Sequence, residues 1–301
     1  MKIDKIVLKS PDYLIQKIKE NEKINPVQTH LREDNLEKSS IKKGNVTNVI
    51  NLYEGVTYSQ PKTVDNAPVR VLKVDPEKVI IDAGFVSGNK KMSTDELKRT
   101  NGLIAAVNGT FFALGSITIG DLKGNGKVSE DKNYDSNLDA ISDKRYFIAT
   151  NKEGKVITGQ GGLDKLTESN IVGFIGGLGK LFDEKTVSSL ERDVKNGNFY
   201  KKINGEVKTK EFPNVDLRST ISRTFAGITP DNKIIIMTVG EGKLRSNGVD
   251  VAEGALLLKS LGATSGFLLD GGGSTCMIIP GVLETKTDGR IVTSYLQVRK
   301  K

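Results

Sequence analysis

The chain has 301 residues, enough to bury a sizeable core, and its 37% hydrophobic and 27% charged residues mark a globular, soluble protein. A net charge of +8 is spread along the chain without interleaved aromatics, which disfavours nucleic acid and leaves only a mild preference for anionic partners. A single cysteine excludes an internal disulfide, a single histidine beside it excludes a zinc site, and no run reaches the roughly 20 apolar residues of a membrane span.

Residues 1–45 read as an appended arm. Ser10-Pro11 offers a helix start, Leu14, Ile15 and Ile18 share one face, and a second weak helix is expected from His30 to Ile41. Anchoring, homo-oligomerisation or virion assembly would suit such an arm, and a packed helical lid is the plain alternative. Charges interrupt the first apolar run too early for a signal peptide, so the chain as encoded reads as cytoplasmic, without membrane insertion; the compartment stays open, with virion association or action at a cell surface as the alternatives.

From Val46 the pattern changes to short β-type runs punctuated by glycine turns such as Asn101-Gly102 and Asp288-Gly289. Strands are predicted over Val69–Val74 and Lys78–Asp82, with Asp75-Pro76 as the turn between them. Ser93-Thr-Asp-Glu96 spells a capping box that opens a helix through Lys98. Leu103–Val107 is a continuous apolar run, as for a strand buried on both faces, and it stops at Asn108-Gly109. Tyr146–Thr150 and Val156–Thr158 make a hairpin, and Ile171–Ile175 another strand. Thr224–Thr229 and Lys233–Val239 flank the turn Pro230-Asp231-Asn232. A helix over Val251–Leu261 stops at Gly262, Gly266–Leu269 is a buried strand, and Ile291–Val298 closes the fold. Residues 46–301 therefore read as one α+β domain with a mixed, mostly antiparallel sheet and a few packed helices.

Chemistry concentrates where apolar strands end on a polar residue followed by glycine. Asp270 is followed by Gly271, Gly272, Gly273, Ser274 and Thr275, and the entropic cost of three consecutive glycines calls for an offset such as close approach of backbone to ligand. Asn108-Gly109 repeats the pattern and also suits a plain turn. Arg223 opens a strand and offers a planar fork for phosphate or carboxylate. Glu253 lies in a helix among small residues, either exposed or buried with a raised pKa. Gly176-Gly-Leu-Gly-Lys180 lacks P-loop spacing. Asp131 to Asp139 alternates oxygen ligands like the start of a calcium loop, but Ser136 holds the glycine position and Ser142 the bidentate glutamate position. No cofactor is expected, with a structural calcium ion left open.

Val107-Asn-Gly-Thr-Phe-Phe112, Ser222-Arg-Thr-Phe-Ala-Gly-Ile228, Gly248-Val-Asp-Val-Ala-Glu253 and Leu268-Leu-Asp-Gly-Gly-Gly-Ser-Thr275 together resemble the phosphodiester glycosidase family. The resemblance runs over about residues 46–301, with Gly55-Val-Thr-Tyr58 and Ile175-Gly-Gly-Leu-Gly179 in order. Thr110 stands where the family often has glycine, and Gly254 where leucine is usual. The resemblance implies hydrolysis of the bond between an anomeric carbon and phosphate in a phosphate-linked glycan. For that reaction Asp270 and Glu253 are the candidate carboxylate pair, Arg223 and Gly271 to Ser274 the candidates for phosphate, and Asn108 for the sugar, with Gly109, Phe112 and Thr275 as further substrate-binding residues. A carbohydrate-binding or virion module without activity, and a phosphodiesterase that cleaves P–O, are the alternatives.

Overall fold

The computed structural model describes residues 48–61, 67–87, 90–113, 117–129, 144–168, 170–207, 216–242 and 247–301. The two arm helices and the Asp131–Ser142 segment lie outside these residues.

Hairpin strands β1 (Val49–Tyr53) and β2 (Val56–Ser59) lead to β3 (Val69–Val74), and β4 (Val79–Phe85) follows the Asp75-Pro76 turn. That turn carries the chain from one sheet to another, because β3 pairs with β2 while β4 pairs with the last strand. The short helix α1 (Thr94–Lys98) has the expected reciprocal cap, with Ser93 Oγ accepting from Glu96 N–H and Glu96 accepting from Ser93 N–H. After it come β5 (Leu103–Asn108), then β6 (Phe112–Ala113), β7 (Ile117–Thr118), β8 (Leu122–Gly124) and β9 (Lys127–Ser129).

The expected hairpin is β10 (Tyr146–Asn151) with β11 (Val156–Gln160). β12 (Ile171–Phe182) continues well past the predicted Ile175, because Gly176 and Gly177 form a bulge within it and do not end it. Helices α2 (Leu190–Lys195) and α3 (Phe199–Val207) precede the paired strands β13 (Arg223–Ile228) and β14 (Ile234–Val239). Helix α4 (Val251–Ser260) leads into β15 (Ser265–Leu268), a short turn at Gly272–Ser274, β16 (Met277–Ile279) and β17 (Leu283–Glu284). The closing strand β18 (Ser294–Lys300) starts three residues later than predicted, and Val292 makes a single bridge to Met92 before it.

The strands form an 11-stranded sheet, a 5-stranded sheet ordered β17-β16-β5-β18-β4, and the small β6-β7 pair. Every pairing between described strands is antiparallel, so the mostly antiparallel α+β expectation holds in that form. One core fills the space between the large sheets, with Leu72, Ile234, Ile236 and Phe267 facing Ile81, Val107, Leu296 and Val298. A second core, containing Ile235, Met237, Phe225 and Leu258, lies between the large sheet and the helices. β14 is therefore buried on both faces, which is why Ile234 to Val239 reads as an unbroken apolar run. Burying each such isoleucine contributes about 1.5–3 kcal/mol.

Gly254 sets the helix-to-sheet distance, because a Cβ there would lie 2.0 Å from the Phe225 ring. No helix among the described residues is long and apolar enough to cross a membrane.

Candidate active site

The ends of strands from both large sheets are sewn together around Asn108, at the end of β5. Its side chain is buried and donates from Nδ2 to Asp270 O at 2.6 Å. Its Oδ1 accepts from Thr224 Oγ1 at 2.7 Å and from Cys276 N–H at 3.1 Å. Asp270 N–H donates to Gly109 O at 3.1 Å. Asn108 thus braces β13, the start of β16 and Asp270 beyond β15, with both its oxygen and its nitrogen bonded to protein partners.

The turn after Asp270 is equally committed. Gly271 N–H donates to Asp270 Oδ1, Gly272 N–H to Ser222 O, Ser274 N–H to Gly271 O and Thr275 N–H to Gly272 O. The glycines serve close packing: a Cβ at Gly273 would stand 2.0 Å from Asp288 Oδ2, and one at Gly109 would stand 2.5 Å from Ser294 Oγ. The expected row of outward N–H groups is therefore largely consumed within the protein. Two hydroxyls are less committed: among the described residues the buried Thr275 Oγ1 has no hydrogen-bond partner, and the buried Ser274 Oγ acts on the Asp270 carboxyl without reaching full hydrogen-bond geometry.

The Asp270 carboxyl itself is raised to about 6. Burial is the dominant cause, opposed by the neighbouring Ser274 hydroxyl, by Gly271 N–H, and by the charges of Arg290 and Arg145. Arg145, just before β10, is fully buried, donates to Gly177 O at 3.1 Å and lies 4.8 Å from the Phe111 ring centre. Burial lowers its guanidinium to about 10, and Asp270 opposes that shift. Arg290 stands at the exposed rim in a two-point contact with Asp288, Nε to Oδ1 at 2.8 Å and Nη2 to Oδ2 at 2.6 Å. Among the described residues, the cations acting on Asp270 are thus Arg145 and Arg290. Neither is distinctive in sequence: one precedes an ordinary apolar strand, and the other sits in an Asp-Gly turn.

Arg223, expected to bind phosphate, is buried and turned to the backbone. It donates to the carbonyls of Asp216 at 2.5 Å, Ser219 at 3.0 Å and Val249 at 3.3 Å, pinning the 216–222 segment to the approach of α4. Glu253 closes the cap of α4: Asp250 accepts its N–H at 2.8 Å, and its own Oε2 accepts from Asp250 N–H at 3.1 Å. Phe112 packs against the cluster that contains Met92, Leu97 and Cys276, and it is the preceding Phe111 that lies under Arg145. Cys276 is buried and its thiol is pushed up to about 12, in keeping with a packing role. Among the described residues no group of three or more His, Cys, Asp or Glu is arranged around a metal position.

A test of the electrostatics follows. Arg145→Met is expected to push the Asp270 carboxyl above about 6, since the lost charge favoured ionisation, while Arg145→Lys restores part of the effect. An NMR titration of the Asp270 carboxyl reads this directly, and an unmoved midpoint in Arg145→Met would remove Arg145 from the site.

A family model described as phosphodiester glycosidase matches residues 101–299. No curated protein matches the chain. Among solved structures, the fold is similar to the zebrafish N-acetylglucosamine-1-phosphodiester alpha-N-acetylglucosaminidase catalytic domain auto-inhibited by pro-peptide. That similarity has a TM-score of 0.55 at 17% identity and covers 82% of each chain. A hypothetical protein from Synechocystis is similar with a TM-score of 0.57 at 13% identity, over 86% of this chain and 64% of that one. At such identities the likeness is one of fold.

Proposed function

The chain belongs to the phosphodiester glycosidase family, and on that premise we propose that it hydrolyses the anomeric C–O bond of a sugar-1-phosphodiester at Asp270. The observation that carries the reading is a carboxyl raised to about 6 at a strand end, acted on by two guanidinium groups, with the Ser274 and Thr275 hydroxyls beside it in the glycine turn.

The departing phosphate monoester is a good leaving group, so the reaction calls for charge stabilisation more than for protonation. Arg290 at the rim meets that charge, with Arg145 beneath it and the Ser274 and Thr275 hydroxyls as donors to phosphate oxygens. Asp270 acts ionised, as nucleophile or as base toward water, on the oxocarbenium-like carbon. Asn108 holds Asp270 in place. Arg223 supports the Gly271-Gly272 turn through Ser222, whose carbonyl accepts from Gly272 N–H.

Glu253 is the second carboxylate in this reading. Its helix begins where Val249 N–H bonds Ile221 O, one residue from the Ser222 carbonyl that holds the glycine turn. Glu253→Gln keeps an acceptor for Asp250 N–H, so the fold is expected to persist while turnover falls on the order of a hundredfold. Wild-type turnover in that variant would leave Glu253 as a cap alone.

The finer assignment is to phosphate-linked surface glycans such as teichoic acid or capsule, which the net charge of +8 favours. The function is tested by incubating the protein with N-acetylglucosamine-1-phosphodiesters and following release of free sugar. Binding without release from any glycosyl phosphodiester would instead make the protein a glycan-binding module.

A further inference from the structure

A cleft beside β4, between α1 and the β8–β9 turn, has no part in the chemistry at Asp270. Its lining includes Phe85, Met92, Arg99, Asn125, Lys127 and Gln297. Ile81, Ala83, Leu296 and Val298 face the core between the sheets, so the alternate residues Asp82 and Gln297 point the other way.

Asp82 organises the floor. It is buried and accepts from Gln297 Nε2 at 2.7 Å, Arg299 Nε at 3.2 Å and Nη2 at 2.5 Å, and Asn125 N–H at 2.8 Å. These bonds fix the turn at Asn125 and fix the orientation of the Gln297 amide. Flipping that amide would set Oε1 against the Asp82 carboxylate, so Oε1 must face Gly84, where a Cβ would lie 2.7 Å from it. Gln297 is 1% exposed, and its Oε1 has no hydrogen-bond partner. A buried acceptor without a donor is a defect unless something supplies one.

The rim adds charge. Among the described residues, the side chains of Arg99 and Lys127 make no hydrogen bond or ion pair. The one carboxylate in the lining, Glu96, is held by Ser93 N–H at 2.8 Å and Ser93 Oγ at 2.9 Å, with Arg99 favouring its ionised form. Among the described residues, two cations without a hydrogen bond or salt bridge therefore face one engaged anion, over a fixed acceptor and the apolar surface of Met92.

We propose that this cleft binds a polyol phosphate, with a hydroxyl donating to Gln297 Oε1, the phosphate between Arg99 and Lys127, and the carbon skeleton against Met92. The site stands independently of the reaction assigned to Asp270.

Glycerol 1-phosphate is the probe, because it has no anomeric carbon for that reaction to attack. The full-length protein is titrated with it while the Gln297 side-chain amide and the Gly84 backbone amide are followed by NMR, with glycerol alone and inorganic phosphate alone as separate arms. Saturable shifts at both positions are expected, tighter than in either arm. The surface double variant Arg99→Ala, Lys127→Ala is expected to bind about tenfold or more weakly. Absence of saturation, equal binding of inorganic phosphate, or undiminished binding by the double variant would each overturn the proposal.

Discussion

Asp270→Asn is expected to lower turnover on the order of a thousandfold or more, and at the same time to make the protein more stable above pH 6. The activity loss follows because the amide cannot act as nucleophile or base at the strand end. The stability gain follows from the sign of the pKa change. The carboxyl is raised to about 6 in the folded protein, so folding favours its protonated form. The stability this confers is fully present below the unfolded value near 4 and is lost as pH rises through about 6. Above that pH the wild type carries the penalty of a desolvated anion, at most about 3 kcal/mol and roughly half of that once partial solvent exposure is counted. The asparagine variant does not titrate. It should melt with the wild type near pH 4 and a few degrees above it at pH 8. Parallel melting curves at both pH values would mean that Asp270 is not the perturbed group.

Gly177→Ala is expected to have the largest effect on the fold. Gly177 has φ +72, and a Cβ there would stand 1.9 Å from Ile119 O and 2.5 Å from Thr110 Oγ1. Overpacking together with left-handed strain should cost about 3–5 kcal/mol. The damage would reach the site, because Gly177 O accepts from Arg145 and Thr110 Oγ1 donates to Ile119 O. Gly197 is the control: its φ is +69, but no atom lies within 4 Å of an added Cβ. Gly197→Ala should therefore lose only the strain, about 1–2 kcal/mol. Urea midpoints compare the two directly, and equal losses would show that close packing against Ile119 does not matter.

These positions also show what can be read from sequence. β5 and β14 were legible because burial on both faces writes an unbroken apolar run. The cap of α1 was legible because its two bonds are local, and the strand end at Asp270 because an apolar run stops there before three glycines. Contacts made across the fold were not legible. Arg145 and Arg290 acquire their meaning only when β10 and the turn before β18 are brought to Asp270. Gly176 and Gly177 looked like a strand end, whereas they form a bulge that admits the 119–121 segment. The bonds that Asn108 makes to Thr224 and Cys276, more than a hundred residues away, and that Arg223 makes to backbone carbonyls up to 26 residues away are likewise absent from the sequence pattern. Side-chain direction at a strand end depends on which neighbours pair there, and sequence spacing does not encode that.

The most direct measurement of the central claim is hydrolysis of a glycosyl phosphodiester in oxygen-18 water, with both products analysed by mass spectrometry. Cleavage of the anomeric C–O bond at Asp270 predicts label in the released sugar and none in the phosphate monoester. Label in the phosphate would contradict the account and make the protein a phosphodiesterase that cleaves P–O.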